Sequence, residues 1–152
     1  MAANDSTAVH LAHVGIAVEN LQAARKKFAQ LLGCEASPIE EVSSEGVRVS
    51  FFDLGNCRIE LLEGTTPDSP VSRFLAQGRR GVHHLAFSVV GTPLGDLLKK
   101  LRAESLPVLD ETPRRGAENK EVFFVHPRGA DGVLMEFLQE PSAPGDEPPS
   151  ES

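Results

Sequence analysis

The sequence predicts an α+β domain in which one strand-helix-strand-strand-strand pattern occurs twice. Two observations carry that prediction. First, two segment pairs repeat in the same order. His13-Val-Gly-Ile-Ala-Val18 lies over His84-Leu-Ala-Phe-Ser-Val89 at an offset of 71 residues (13 to 84). Arg58-Ile-Glu60-Leu-Leu-Glu63 lies over Leu134-Met-Glu136-Phe-Leu-Gln139 at an offset of 76 (60 to 136). Second, apolar periodicity switches between the two-residue alternation of a strand and helical spacing in the same order in both halves.

In chain order, residues 9–18 read as a strand. Asn20 is a suitable N-cap for a helix over 21–32, whose apolar positions are Leu21, Ala24, Phe28, Leu31 and Leu32. Gly33 stands where a C-terminal helix glycine belongs. Strands follow near 35–42, 47–54 and 57–63, the last two joined by a tight turn centred on Gly55-Asn56. Residues 70–77 read as a short helix. The pattern restarts with a strand over 82–90. Thr92-Pro93 opens a helix to about 104, with Pro93 at the first helical position, where a missing N–H is tolerated. Strands near 106–111, 120–126 and 132–139 complete the second half. The folded domain is therefore expected over 9–139, with module one at about 9–64 and module two at about 80–139. Residues 1–8, and the Pro-, Ser- and acid-rich stretch 140–152, offer little to bury and are expected to be disordered.

Composition narrows the function classes. Across 152 residues, 22 acidic and 15 basic side chains leave a net charge of −7, and there are eight Phe but no Trp or Tyr. That balance speaks against nucleic acid as a partner. No apolar run approaches the roughly 20 residues of a membrane helix, so no membrane is expected. The N-terminal residues carry neither a basic region nor an apolar run, and Cys34 and Cys57 make no disulfide framework. Both features suit a cytoplasmic protein without a leader.

Strand alternation then assembles a constellation. In the first strand Val14, Ile16 and Val18 share one face, and His13 lies on the other with the small residues Gly15 and Ala17. In the matching strand Leu85, Phe87 and Val89 share a face, and His84 lies opposite with Ala86 and Ser88. Ile59 and Leu61 point away from Glu60, and Val133, Met135 and Phe137 away from Glu136. Four strands thus each offer one ligand-type side chain on the face away from the helices. Two imidazoles and two carboxylates form a sound set for a divalent metal such as Zn, Co, Ni, Mn or Fe. The two glutamates are the more telling half, because a carboxylate inside an apolar run is costly unless paired or ligated. His10 and His83 fall off that face or register and read as structural, and His126 reads as a strand-end or loop residue.

With these residues in view, the chain resembles the vicinal oxygen chelate superfamily and, within it, the methylmalonyl-CoA epimerases. The matching stretches include Gly46-Val-Arg-Val, Leu54-Gly-Asn-Cys-Arg-Ile-Glu-Leu-Leu-Glu63, Gly81-Val-His-His-Leu-Ala-Phe87, Asp110-Glu-Thr-Pro-Arg-Arg-Gly-Ala117, Phe124-Val-His-Pro-Arg128 and Gly132-Val-Leu-Met-Glu136. They span about residues 10–139. The resemblance implies two modules forming a U-shaped mixed sheet around a metal cleft, with His13, His84 and Glu136 as ligands. Glu60 comes from the strand reading and not from the resemblance: some members have Gln there, and a carboxylate would make the metal a weaker Lewis acid. The resemblance implies one divalent ion per chain, cobalt first and zinc, nickel or manganese as alternatives, methylmalonyl-CoA as substrate, and a homodimer. Glu136 is the implied acid/base at C2 of the substrate. Some epimerases carry a glutamate three residues after the glycine equivalent to Gly46, and Val49 stands there, so the second base is open among Glu45, Glu60 and Lys120. Arg79-Arg80, Arg114-Arg115, Lys120 and Arg128 are the cations available for CoA phosphates, with Arg115 and Lys120 the substrate-binding candidates and Arg115-Gly116-Ala117 a candidate lid. A carboxylate at 60 also matches bacterial lactoylglutathione lyase (glyoxalase I type), which is the alternative reading.

Overall fold

The computed structural model describes residues 7–140. Its elements are β1 (Ala8–Ala17), α1 (Leu21–Leu32), β2 (Glu40–Val42), β3 (Val47–Asp53), β4 (Arg58–Gly64), α2 (Pro70–Ala76), β5 (Gly81–Val90), α3 (Leu94–Ala103), β6 (Arg114–Arg115), β7 (Glu121–Val125) and β8 (Met135–Gln139). The expected disordered segments lie outside the described residues, apart from Thr7, Ala8 and Glu140. Among the described residues, no helix is long and apolar enough to cross a membrane.

The eight strands form one curled mixed sheet in the order β2-β3-β4-β1-β5-β8-β7-β6. β1 and β5 pair antiparallel at its centre. β4 runs parallel to β1 and β8 runs parallel to β5, so each half repeats the same order outward from the middle. The duplicated pattern is therefore a pseudo-twofold in space, with its axis between the two histidine strands.

Local chemistry explains most boundaries. The Asn20 side chain accepts from the Ala23 amide, and Gly33 ends α1 in the left-handed conformation at φ 68°. α1 buries Leu21 and part of Ala24 and Phe28 against Phe52, Leu61, Ile16 and Ile59. α3 buries Leu94 and Leu98 against Val89, Phe123 and Val125. Each fully buried Leu or Phe contributes roughly 1.5–3 kcal/mol by removing apolar surface from water. The hairpin turn is as expected: Leu54 N–H donates to Cys57 O at 3.0 Å, and Gly55 takes φ 87°. The opposite, inner face carries Val42, Val47, Val49, Phe51 and Leu62 in one half, covered at one end by Val71 and Phe74 of α2. Ala86, Val122 and Leu138 line it in the other half.

Three expectations need correction. The strand near 35–42 shrinks to three residues, because Pro38 lacks an N–H and the Ser37 hydroxyl accepts the Phe51 amide at 2.9 Å instead. The strand near 106–111 is absent as a named strand, and only the single bridge Val108–Val125 remains. There the Asp110 carboxylate, not a strand carbonyl, accepts the Phe124 amide at 2.9 Å, and the edge position passes to β6. Finally, Pro93 precedes the first helical residue instead of occupying it, and the Gln139 side chain accepts the Leu94 amide at 2.9 Å.

Candidate metal centre

The four ligand-type side chains converge from four adjacent strands. β4 and β1 bring Glu60 and His13, and β5 and β8 bring His84 and Glu136. One ligand atom from each lies within 4.8 Å of all the others. His13 Nε2 is 2.7 Å from Glu60 Oε2 and 3.3 Å from Glu136 Oε2. His84 Nε2 is 3.3 Å from Glu60 Oε2 and 3.1 Å from Glu136 Oε2. The two Nε2 atoms are 3.1 Å apart. Adjacent donors bound at about 2.1 Å to one ion stand about 3.0–3.4 Å apart in octahedral or tetrahedral geometry. The cluster fits a divalent ion, and two carboxylates balance its charge. All four residues are buried.

The electrostatics agree. Burial alone would push the Glu60 carboxyl up, yet hydrogen bonds from His13 and His84 outweigh it and hold the group at about 2. Glu136 is lowered by the same balance. Burial would likewise lower His84, but hydrogen bonding to Glu136 and Glu60 raises it to about 9, and His13 is raised for the same reason. Without a metal, the His84 proton supplies positive charge beside the carboxylates.

Packing around the histidines follows the pseudo-twofold. The His13 ring meets Phe51 of β3 edge-on at 5.7 Å, and His84 meets Phe124 of β7 at 6.1 Å. Each phenyl carries a guanidinium on its face: Arg58 lies 3.8 Å from the Phe51 centroid and Arg114 5.4 Å from that of Phe124. Gly15 faces His84 across the β1–β5 ladder. A Cβ at Gly15 would stand 2.2 Å from His84 Cε1, so only glycine leaves the ring its place.

The ligands form the floor of a mainly apolar cavity of about 210 Å³, walled by Val49, Phe51, Leu62, Val122, Phe124 and Leu138 among others. The mouth is bridged by polar contacts between the modules. Glu45 pairs with Arg114, which also donates to Asp110 at 2.8 Å. Arg58 pairs with Glu118 at 2.6 Å, and the Glu118 amide donates to the Glu40 carboxylate at 3.0 Å. Glu118 and Asn119 both have positive φ, 56° and 61°, which turns the segment after Gly116 across the opening.

Of the other candidates, Glu45 and Lys120 line the cavity, Lys120 standing 3.2 Å from Glu140 and 3.8 Å from Glu118. Arg115 is exposed and donates to the Asn119 carbonyl at 2.8 Å, outside the cavity lining. The cavity-facing guanidinium is its neighbour Arg114. His83, read from the sequence as structural, lines the cavity beside His84, with their Nδ1 atoms 3.0 Å apart. Burial, then the neighbouring His84 charge, lowers His83 to about 4, so it is neutral. Its far side meets Phe74 edge-on at 5.0 Å.

His83 is brought inward by a β-bulge. The register steps from Gly15–His84 to Ile16–Val82, leaving His83 without an opposite residue, and a second irregularity leaves Ala12 likewise. Alternation cannot reveal a bulge. The available signal was the adjacency of two histidines.

Comparison with known proteins agrees with this geometry. Residues 12–124 match the Glyoxalase/Bleomycin resistance protein/Dioxygenase superfamily. The chain is 39% identical over 129 residues to the uncharacterized protein YqjC of Bacillus subtilis (strain 168), covering 85% of this chain and 91% of that one. It is 35% identical over 130 residues to the mitochondrial methylmalonyl-CoA epimerase of Bos taurus, covering 85% and 73%. A solved methylmalonyl-CoA epimerase in complex with methylmalonyl-CoA and NH4+ superposes with a TM-score of 0.79 at 31% identity, covering 88% and 96%.

Proposed function

Because the chain belongs to the glyoxalase/bleomycin resistance protein/dioxygenase superfamily, we propose that its cleft interconverts the (R) and (S) forms of methylmalonyl-CoA by moving the proton at C2. One observation carries the reading: four metal-ligand side chains meet at the floor of a mainly apolar cavity, in a chain whose relatives include methylmalonyl-CoA epimerases. The C2 proton lies between a thioester and a carboxylate, so removing it leaves an enolate-type anion. His13, Glu60, His84 and Glu136 would hold a divalent ion, cobalt first and zinc, nickel or manganese as alternatives, which would supply Lewis-acid stabilisation of that negative charge.

The side chains do the rest. Glu136, held ionised by the imidazoles, takes and returns the proton on one face of C2. Epimerisation needs a second group on the other face. Glu60 is the favoured candidate, since β4 and β8 place it and Glu136 on opposite sides of the histidine pair. Glu45 is engaged by Arg114, and Lys120 by Glu140 and Glu118. The apolar walls exclude water from the reacting carbon, and Phe51 and Phe124 keep the imidazoles in place. Lys120 at the cavity wall, and Arg115 on the outer side of the same segment, contact the CoA portion in this reading. The reading includes a cytoplasmic homodimer, whose assembly sedimentation velocity tests.

The test is proton–deuterium exchange at C2 of (R,S)-methylmalonyl-CoA in D2O, followed by NMR on metal-stripped and Co²⁺-loaded protein. Exchange that depends on the metal is expected. Absence of exchange with every divalent ion, together with turnover of the methylglyoxal–glutathione adduct, overturns the reading in favour of lactoylglutathione lyase, whose His/Glu/His/Glu site the ligands also match.

A further inference from the structure

A second cleft of about 310 Å³ adjoins the metal cavity and shares Pro70, His83 and Leu134 with it. Its remaining lining includes Arg73, Phe74 and Arg79. The two clefts differ in how their cations are neutralised. At the metal cavity Arg58, Arg114 and Lys120 each face a carboxylate. In the second cleft no lining residue is acidic, and among the described residues neither Arg73 nor Arg79 forms an ion pair. A chain of net charge −7 thus keeps two uncompensated guanidiniums beside its active cavity.

Both are pre-positioned. The Arg79 guanidinium lies 4.4 Å from the Phe74 centroid, and Phe74 in turn packs on His83. Stacking fixes the plane of the guanidinium and leaves its N–H edge available. Arg73 Nε donates to the Asp68 carbonyl at 2.9 Å, which anchors the side chain through one of its donors. A planar fork of this kind matches phosphate oxygens in a bidentate manner.

The geometry points to this cleft as a phosphate subsite, holding the nucleotide end of an acyl-CoA whose acyl end lies at the metal. The inference rests on the proposed epimerase reading for the acyl end. Arg73 and Arg79 supply the charge, and the shared wall at Pro70, His83 and Leu134 lets one extended thioester occupy both clefts.

The test compares methylmalonyl-CoA with methylmalonyl-pantetheine, the same thioester without phosphates, in the C2 exchange assay on Co²⁺-loaded protein. The Arg73→Gln/Arg79→Gln double variant is expected to raise KM for the CoA ester by about 10–100-fold while kcat holds, since a charge-assisted hydrogen bond contributes about 1.5–3 kcal/mol and 1.4 kcal/mol is tenfold. The pantetheine ester should have the higher KM already in the wild type, and the substitutions should not move it. Adenosine 3′,5′-bisphosphate should compete with the CoA ester in the wild type. Equal KM values for the two esters in the wild type overturn the subsite. So does an equal rise for both in the variant, or bisphosphate binding without competition, which marks a separate phosphate site. If neither ester exchanges, the epimerase reading has failed. Calorimetry of adenosine 3′,5′-bisphosphate against wild type and variant then decides the cleft separately: tenfold weaker binding in the variant upholds it, and equal binding overturns it.

Discussion

Gly15→Ala tests the metal centre through a residue that ligates nothing. Gly15 does not have a positive φ, so alanine suits its backbone and the penalty falls on packing alone. An added Cβ would stand 2.2, 2.4 and 2.7 Å from His84 Cε1, Nδ1 and Nε2. Ordinary contact begins near 3.4 Å, so the ring must give way by about 1.2 Å. It is hemmed in by His83, His13 and Phe124, at centroid distances of 5.2, 5.2 and 6.1 Å. Metal–ligand distances tolerate about 0.2 Å, so His84 leaves the donor set. Disturbing a ligand's supporting shell already costs about 10–100-fold in metal affinity, and displacing the ligand should cost at least about 100-fold. The overpacking itself costs about 1–3 kcal/mol, which leaves the chain folded. Co²⁺ titration by calorimetry, with the visible spectrum of the bound ion, reads the effect. Gly95→Ala in α3 is the control, because nothing lies within 4 Å of its Cβ position. It should leave Co²⁺ affinity alone and gain about 0.5–1 kcal/mol of stability. A Gly15→Ala protein with wild-type affinity and spectrum refutes the argument.

Four further outcomes follow from the same geometry. Glu136→Gln keeps an oxygen donor but cannot carry the proton, so C2 exchange should fall by about 100-fold or more while a Co²⁺ complex still forms; full activity with metal bound would remove Glu136 from the chemistry. Metal binding must displace protons. His84, at about 9, is protonated at neutral pH in the metal-free protein, so Co²⁺ affinity should rise about 50-fold from pH 7 to 9, and calorimetry in two buffers should detect proton release. Folding of the metal-free protein has the opposite trend. The His84 contribution is complete below its ordinary 6.5 and is lost as pH rises through about 9, and that of Glu60 is present above 4.5 and lost as pH falls through about 2. Buried His83, lowered to about 4, costs stability as pH falls below 6.5, so the melting temperature should peak near pH 6.5, and a metal-free protein that melts highest at pH 9 contradicts the assignment. Glu118→Ala breaks an ion pair whose side chains are 25% and 40% exposed, so urea titration should find a cost of about 0–1 kcal/mol; a loss above about 2 kcal/mol would mean that the bridge across the mouth holds the modules together.

Of the four ligand-type side chains, the two glutamates were the more legible, because their strands are regular. Glu60 and Glu136 sit in ladders without a register break, so alternation alone sends them to the inner face, opposite Ile59 and Leu61 or Met135 and Phe137. What stayed illegible depends on register or on side chains replacing backbone. Arg114, not Arg115, faces the cavity because β6 pairs Arg114 with the inward Val122, and a two-residue strand has no periodicity to read. The strand near 106–111 was lost to an Asp110 carboxylate doing the work of a carbonyl.

The bulges are the most instructive case. Ala12 and His83 each stand one residue before a ligand histidine, at the same offset of 71 (12 to 83) that relates His13 to His84, and both lack an opposite residue in the β1–β5 ladder. The repeat therefore carries the bulge as well as the ligands. Both bulged residues line the metal cavity, so the position is an inward-facing site in each module. One module fills it with a methyl group. The other fills it with a neutral imidazole that touches His84 and forms the wall between the two clefts. A pseudo-symmetric pair of ligand strands thus becomes an asymmetric site through one side chain. The asymmetry is directed toward the second cleft, where His83 shares the lining with Arg73 and Arg79.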